Sequence, residues 1–145
     1  MGFIGFPNAG KSTLLASITR AFPKIAPYPF TTLRPYVGYT KFVDNSQLVF
    51  ADLPGIIEGA HKNKGLGHRF LQHAERTKML LYVIDGSYEE KEGEMAPGSK
   101  SRDPVKDYQV LYNELKMYKD GILLEKPSFI VLNKMDRQDY THFNS

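Results

Sequence analysis

Residues 5–13 read GFPNAGKST, and no other stretch of the chain limits its fold as tightly. Gly5 to Ser12 fit the spacing G-x-x-x-x-G-K-[ST], with an apolar run, Phe3–Phe6, in front and a helical pattern behind. From Lys11 onward Leu14, Leu15 and Ile18 recur at one-face helical spacing. A strand that turns sharply into a helix gathers backbone N–H groups at the turn. Glycines let those groups point inward, and the first helical turn adds donors with no intrahelical partner. Lys11 brings a point charge for β- and γ-phosphates, and the Ser12 hydroxyl is a hard oxygen ligand suited to Mg²⁺. A glycine-rich turn with a surface lysine is the alternative, but it leaves the flanking strand and helix unaccounted for. Gly5, Phe6, Pro7, Asn8, Ala9, Gly10, Lys11, Ser12 and Thr13 are therefore expected to cradle a nucleotide phosphate.

The remaining pattern supplies an α/β fold to carry that turn. Tyr36–Val43 and Gln47–Leu53 read as strands joined by the turn residues Asp44, Asn45 and Ser46, an antiparallel hairpin. Phe22–Pro35 reads as irregular because Pro23, Pro27, Pro29 and Pro35 fix the backbone there. Leu66–Thr77 is helical with Phe70, Leu71 and Ala74 inward, and Met79–Ile84 is a near-continuous apolar strand of the parallel-sheet kind. Asp103-Pro104 opens a helix with Tyr108, Leu111, Leu115 and Tyr118 as its stripe, and Phe129–Leu132 is the last strand. Residues 86–103, poor in hydrophobes, read as a mobile surface insertion. Strands alternating with helices predict a three-layer fold around a mostly parallel sheet with one antiparallel hairpin.

At 145 residues, 41% hydrophobic and 24% charged, the chain is one ordinary globular domain. A net charge of +3 permits an RNA or phosphate partner without arguing for one. No cysteine is present, which rules out disulfides and thiolate metal sites and fits a reducing, intracellular compartment. No apolar run approaches the roughly 20 residues of a membrane span. The chain enters its first strand at once, without a targeting segment, so a fragment, or an element lost upstream, is expected.

Three later stretches narrow the nucleotide. Asp52, Leu53, Pro54 and Gly55 end an apolar strand, where a carboxylate reaches a Mg²⁺ shell and a glycine N–H approaches a γ-phosphate. Asn133, Lys134, Met135 and Asp136 again follow a strand. An aspartate there accepts from both N1–H and the 2-amino group of guanine, a pairing adenine lacks, and a buried acceptor left unpaired costs about 1–3 kcal/mol. Phe30, Thr31 and Thr32 lie in the proline-bound loop, where a threonine meets the metal only when a γ-phosphate orders the loop. Alternation along an extended segment lets only one of the two threonines face the metal.

Together these segments resemble the Obg family of GTPases. GFPNAGKST, YPFTTLRPYVG, DLPGIIEGAHKNKGLGHRFLQHAERT and LNKMD are similar to Obg-type spellings and cover most of the chain. ELKMYKDGI leans towards the eukaryotic, mitochondrial-type branch, so the expected compartment is mitochondrion or cytoplasm. The resemblance implies a Ras-like P-loop G domain spanning residues 1–145; the sequence itself does not set the oligomeric state, and a monomer is the expectation. It also implies GTP and GDP as substrate and product, and Mg²⁺ held by Ser12, Thr32 and Asp52. Lys11, Thr32, Gly55 and Asn8 would carry hydrolysis, and the large ribosomal subunit or its RNA would be the partner during assembly. Against the family pattern the sequence lacks the glycine-rich N-terminal domain, the last strand and helix, and the loop that completes the guanine pocket. The domain is thus expected to be C-terminally truncated.

Ile56 stands where many such switches carry a glutamine that orients the attacking water, so slow hydrolysis is expected. Asn8 has two readings: a turn-former tolerating an unusual backbone angle, or, by resemblance, a ligand for a K⁺ beside the phosphates. Glu58, His61 and Arg69 read first as solvated or partner-facing. Lys62, Lys64, Arg69, Arg76 and Lys78 concentrate positive charge that suits RNA phosphates or simply a solvated face. Two rivals stay open: a P-loop ATPase or kinase, which would have no use for Asn133 with Asp136, and a non-catalytic ribosome-binding module.

Overall fold

Strand order in the described sheet is β2-β3-β4-β1-β5-β6 in the computed structural model, which describes residues 1–19, 24–25, 35–53, 66–87 and 103–137. The elements run β1 (Gly2–Ile4), α1 (Lys11–Ile18), β2 (Lys24–Ile25), β3 (Tyr36–Lys41), β4 (Gln47–Asp52), α2 (Leu66–Glu75) and β5 (Leu80–Asp85). They continue with α3 (Pro104–Met117), a 3-10 segment (Lys119–Glu125), β6 (Ser128–Asn133) and a last 3-10 turn (Met135–Arg137). β4, β1, β5 and β6 are parallel; β3 and β4 form the expected hairpin.

β5 organises the interior. All six of its residues are buried, as its apolar run requires of a central parallel strand. Leu80, Tyr82 and Ile84 join Ile4 in one cluster with Leu71 and Ala74 of α2 and Leu111 and Leu115 of α3. Leu81 and Val83 face the other way, with Phe3, Phe50 and Leu15 of α1. The sheet is thus the middle of three layers, and each fully buried aliphatic side chain contributes about 1.5–3 kcal/mol. The same alternation delivers Asp85 to the α1 side, and the register Asp85↔Asn133 sends Asn133 there too.

α3 follows its sequence signals closely. Asp103 Oδ1 accepts from the backbone N–H of Val105 at 2.9 Å and of Lys106 at 3.4 Å, and Pro104 occupies the first helical position. Leu111, Leu115 and Tyr118 are buried, while Tyr108 packs half-buried with its ring edge-on to Tyr82 at 5.4 Å.

Elsewhere the structure departs from expectation. β1 ends at Ile4 rather than Phe6, because the carbonyls of Gly5 and Phe6 turn aside to Lys11. Lys24–Ile25, inside the proline-rich stretch expected to be irregular, pairs antiparallel with Val37 and Tyr36. Proline confines a strand to a sheet edge but does not forbid it, and β2 lies at the edge of the described sheet. Ile18 is half-exposed, so Leu15 carries the buried contact of α1. After α3, Asp120 and Gly121 at φ 57° and 82° turn the chain into a segment the pattern did not reveal. Of the expected insertion, residues 88–102 lie outside the described residues, whereas Gly86 is buried and its N–H bonds the Asn133 carbonyl at 2.8 Å.

Candidate functional site

Parallel strands bring their C-terminal ends to one edge, and ligands of open α/β sheets bind there. At this edge β1 runs into the 5–13 turn, β4 ends in Asp52, β5 in Asp85 and β6 in Asn133. The registers Phe3↔Asp52 and Asp85↔Asn133 hold these ends level.

The turn is shaped by close approach. A Cβ on Gly5 would lie 2.4 Å from the Val83 carbonyl oxygen, so only glycine fits against β5. Gly10 has φ 92°, and a Cβ on it would meet Asn133 Nδ2 at 2.2 Å. Asn8 adopts φ 66°, which is the turn-former geometry its residue type tolerates. Ala9 is buried and its N–H returns to the Phe6 carbonyl at 3.3 Å, while Pro7 and Thr13 are exposed. α1 starts from Gly10 with no side-chain cap, so its first N–H groups lack the usual side-chain partner.

Lys11 is buried, its Nζ donating to the carbonyls of Gly5 at 3.2 Å and Phe6 at 3.1 Å. Burial pushes its pKa down, and the charge of Asp52 acts against that. Ser12 Oγ donates to Asp52 Oδ2 at 2.5 Å. Burial pushes the Asp52 carboxyl up, opposed by the Ser12 hydrogen bond and the Lys11 charge. Asp52 Oδ1 is buried without a hydrogen-bond partner among the described residues. An orphaned carboxylate oxygen beside a serine hydroxyl is a hard-oxygen donor set that fits Mg²⁺. Leu53 is buried, its N–H on the Phe3 carbonyl at 3.3 Å.

The base-side motif is tied directly to the turn. Asn133 Nδ2 donates to the Ala9 carbonyl at 2.9 Å. Lys134, itself at φ 60°, donates from Nζ to the Asn8 carbonyl and to Asp85 Oδ2, the latter at 2.7 Å. Met135 packs over Gly86, and Asp136 is exposed in the last 3-10 turn.

Of the residues singled out in the sequence, the structure gathers Gly5 to Thr13, Asp52, Leu53 and Asn133 to Asp136 at one sheet edge. Phe30, Thr31, Thr32, Pro54, Gly55, Ile56, Glu58, His61, Lys62 and Lys64, with the Arg69 side chain, lie outside the described residues. Asp85 and Ser87 were missed. Ser87 donates to Asp85 Oδ1 from both Oγ, at 2.5 Å, and N, at 3.1 Å. The signal was a carboxylate closing an all-apolar strand, followed two residues later by serine, an Asx-turn pattern.

Comparison with known proteins agrees with this geometry. The family model described as 50S ribosome-binding GTPase matches residues 1–134. The GTPase Obg of Akkermansia muciniphila is 52% identical over 135 residues, covering 93% of this chain and 35% of that protein. The GTPase Obg of Symbiobacterium thermophilum is 48% identical over 139 residues, 96% of this chain and 30% of its own length. A GTP-binding protein 10 homolog of Drosophila melanogaster is 49% identical over 140 residues, 95% of this chain and 35% of that protein. The chain therefore spans about a third of the length of these curated relatives. Among solved structures, the G domain of the T. maritima FeoB iron transporter superposes with a TM-score of 0.62 at 16% identity, a likeness of fold covering 93% of this chain and 71% of that one. A point variant of Aquifex aeolicus Era bound to GDP.AlF4- gives 0.56 at 26% identity, over 94% and 40%.

Proposed function

Because the chain belongs to the 50S ribosome-binding GTPase family, we propose that it is a guanine-nucleotide switch that hydrolyses GTP slowly to GDP and phosphate during large ribosomal subunit assembly. The observation that carries this reading is the Asn133 amide on the Ala9 carbonyl. It fastens the expected base motif to the phosphate loop, which suits one ligand presenting a base and a phosphate at a fixed separation. ATPases and kinases need no such aspartate-bearing motif behind the loop.

In this reading the N–H groups of the turn and of α1 bind the phosphates, and Lys11 leaves the carbonyls of Gly5 and Phe6 to meet the β- and γ-oxygens. Ser12 and Asp52 would hold Mg²⁺, with Thr32 joining them in the GTP state. The metal, when bound, neutralises charge on the phosphate oxygens. Asp136 reads the guanine edge. Ile56 offers no amide to orient water, which is why the intrinsic rate is slow. Exposed Arg76 and Lys78 beyond α2 suit contact with ribosomal RNA phosphates.

The test is affinity for GTP, GDP and ATP, together with the Asp136→Asn variant. GTP and GDP should bind and ATP should not. Exchanging the acceptor for an amide should weaken GTP by about tenfold or more while xanthosine triphosphate, with a carbonyl in place of the 2-amino group, gains. Unchanged GTP affinity in Asp136→Asn would show that the base pocket lies elsewhere.

A further inference from the structure

We infer that Asp85 is a positioning residue for nucleotide retention: it anchors the Lys134 ammonium against the Asn8 carbonyl and thereby holds the phosphate loop in its binding shape. This rests on the guanine-nucleotide reading given above and assigns a role to a residue that belongs to neither the phosphate loop nor the base motif.

The geometry is that of a strap. Asp85 closes β5 and is 4% exposed; its Oδ2 takes Lys134 Nζ at 2.7 Å while Oδ1 is fixed by Ser87 from two donors. A carboxylate with both oxygens held cannot swing to follow its partner, so the ammonium is placed by the sheet and not by its own flexible stem. From there Lys134 reaches across to the carbonyl of Asn8, at the apex of the turn. That carbonyl belongs to a non-glycine residue at φ 66°, in the left-handed region. Asparagine tolerates this backbone, but at a cost that constraints from its surroundings must offset. The strap supplies one such constraint, and Asn133 on the Ala9 carbonyl supplies its neighbour. Burial pushes the Asp85 pKa up, but hydrogen bonds from Lys134 and Ser87 outweigh this and keep the carboxyl below its usual range, hence ionised at neutral pH. With Asp85 neutralised, Lys134 keeps one carbonyl and gains a route to solvent, and the turn loses its brace.

A double-mutant cycle tests this through the dissociation rate of a fluorescent GDP analogue. Asp85→Asn keeps the shape and removes the charge, and Lys134→Met removes the ammonium. Each single variant should release GDP roughly tenfold faster, equivalent to about 1.4 kcal/mol. The double variant should be no faster than Lys134→Met alone. A residue that merely stabilised β5 would add its effect in either background, so additive rates would overturn the inference, as would an Asp85→Asn rate equal to wild type. Ser87→Ala, which loosens the carboxylate but keeps both charges, provides a second cycle should Asp85→Asn not fold. Its smaller acceleration should vanish in the Lys134→Met background, and persistence there overturns the inference equally. Failure of the wild-type protein to bind GDP at all would instead remove the guanine-nucleotide reading and this role with it.

Discussion

Replacing Gly10 by alanine attacks the tightest point of the site in two separable ways. At φ 92° an L-residue pays for left-handed backbone, about 1–2 kcal/mol. The new Cβ would also stand 2.2 Å from Asn133 Nδ2, so the amide must leave the Ala9 carbonyl, at about 0.5–1.5 kcal/mol for the lost hydrogen bond. Together they come to about 1.5–3.5 kcal/mol, or roughly ten- to several-hundred-fold in an equilibrium constant. If the turn keeps its shape the loss appears as lower stability; if it relaxes, as weaker nucleotide binding. Urea unfolding at a fixed, saturating GDP concentration captures both, because ligand binding adds to stability by mass action. The second half of the argument is tested by repeating Gly10→Ala in an Asn133→Ala background. There the collision is gone, and only the backbone strain of about 1–2 kcal/mol should remain. An unfolding midpoint equal to wild type for Gly10→Ala, or the same loss in both backgrounds, would refute the reasoning.

Further expectations concern the metal, the cation and the scaffold. Ser12→Ala should sharply reduce the gain in GDP affinity on adding Mg²⁺, by about 1.5–3 kcal/mol for a contact to a charged group; an EDTA titration compared with wild type measures it. Asn8→Ala should abolish any excess of phosphate release in K⁺ over Na⁺ at equal ionic strength, and identical wild-type rates in the two salts would remove Asn8 from hydrolysis. Asp103→Ala strips the cap of α3 and should lower stability by about 1 kcal/mol while leaving GDP affinity unchanged, as read by thermal unfolding and nucleotide titration.

The fold was legible wherever one local rule acted alone. β5 announced itself because a strand buried on both faces needs apolar residues at every position, and α3 because Asp103 and Pro104 mark a start unambiguously. The two-residue strand β2 escaped notice because its pairing with Val37 and Tyr36 is decided by a neighbour distant in sequence, while Pro23 beside it argues locally the other way. Burial was less legible than element type: Phe129, Ile130 and Leu132 are apolar and yet more than half exposed among the described residues. The phosphate loop was readable residue by residue, since its spacing is set by the size of a phosphate. The Asp85–Lys134 contact was not, because Lys134 belonged to a motif read only for its base and Asp85 belonged to no motif. Their meeting follows from strand register, which is settled by the sheet as a whole.

The β3–β4 hairpin offers a spectroscopic handle. Its rung Tyr36↔Asp52 sits at the site, whereas the opposite rung Lys41↔Gln47 lies five residue steps away, about 17 Å at ~3.4 Å per residue. Beyond it Val43 is fully exposed. These 145 residues contain no cysteine, so in them Val43→Cys would accept a single thiol-reactive fluorophore without removing any other residue first. The dye would sit near enough to a fluorescent nucleotide for energy transfer and too far away to touch it. Nucleotide arrival and departure could then be followed one molecule at a time, on a protein whose binding edge carries no alteration.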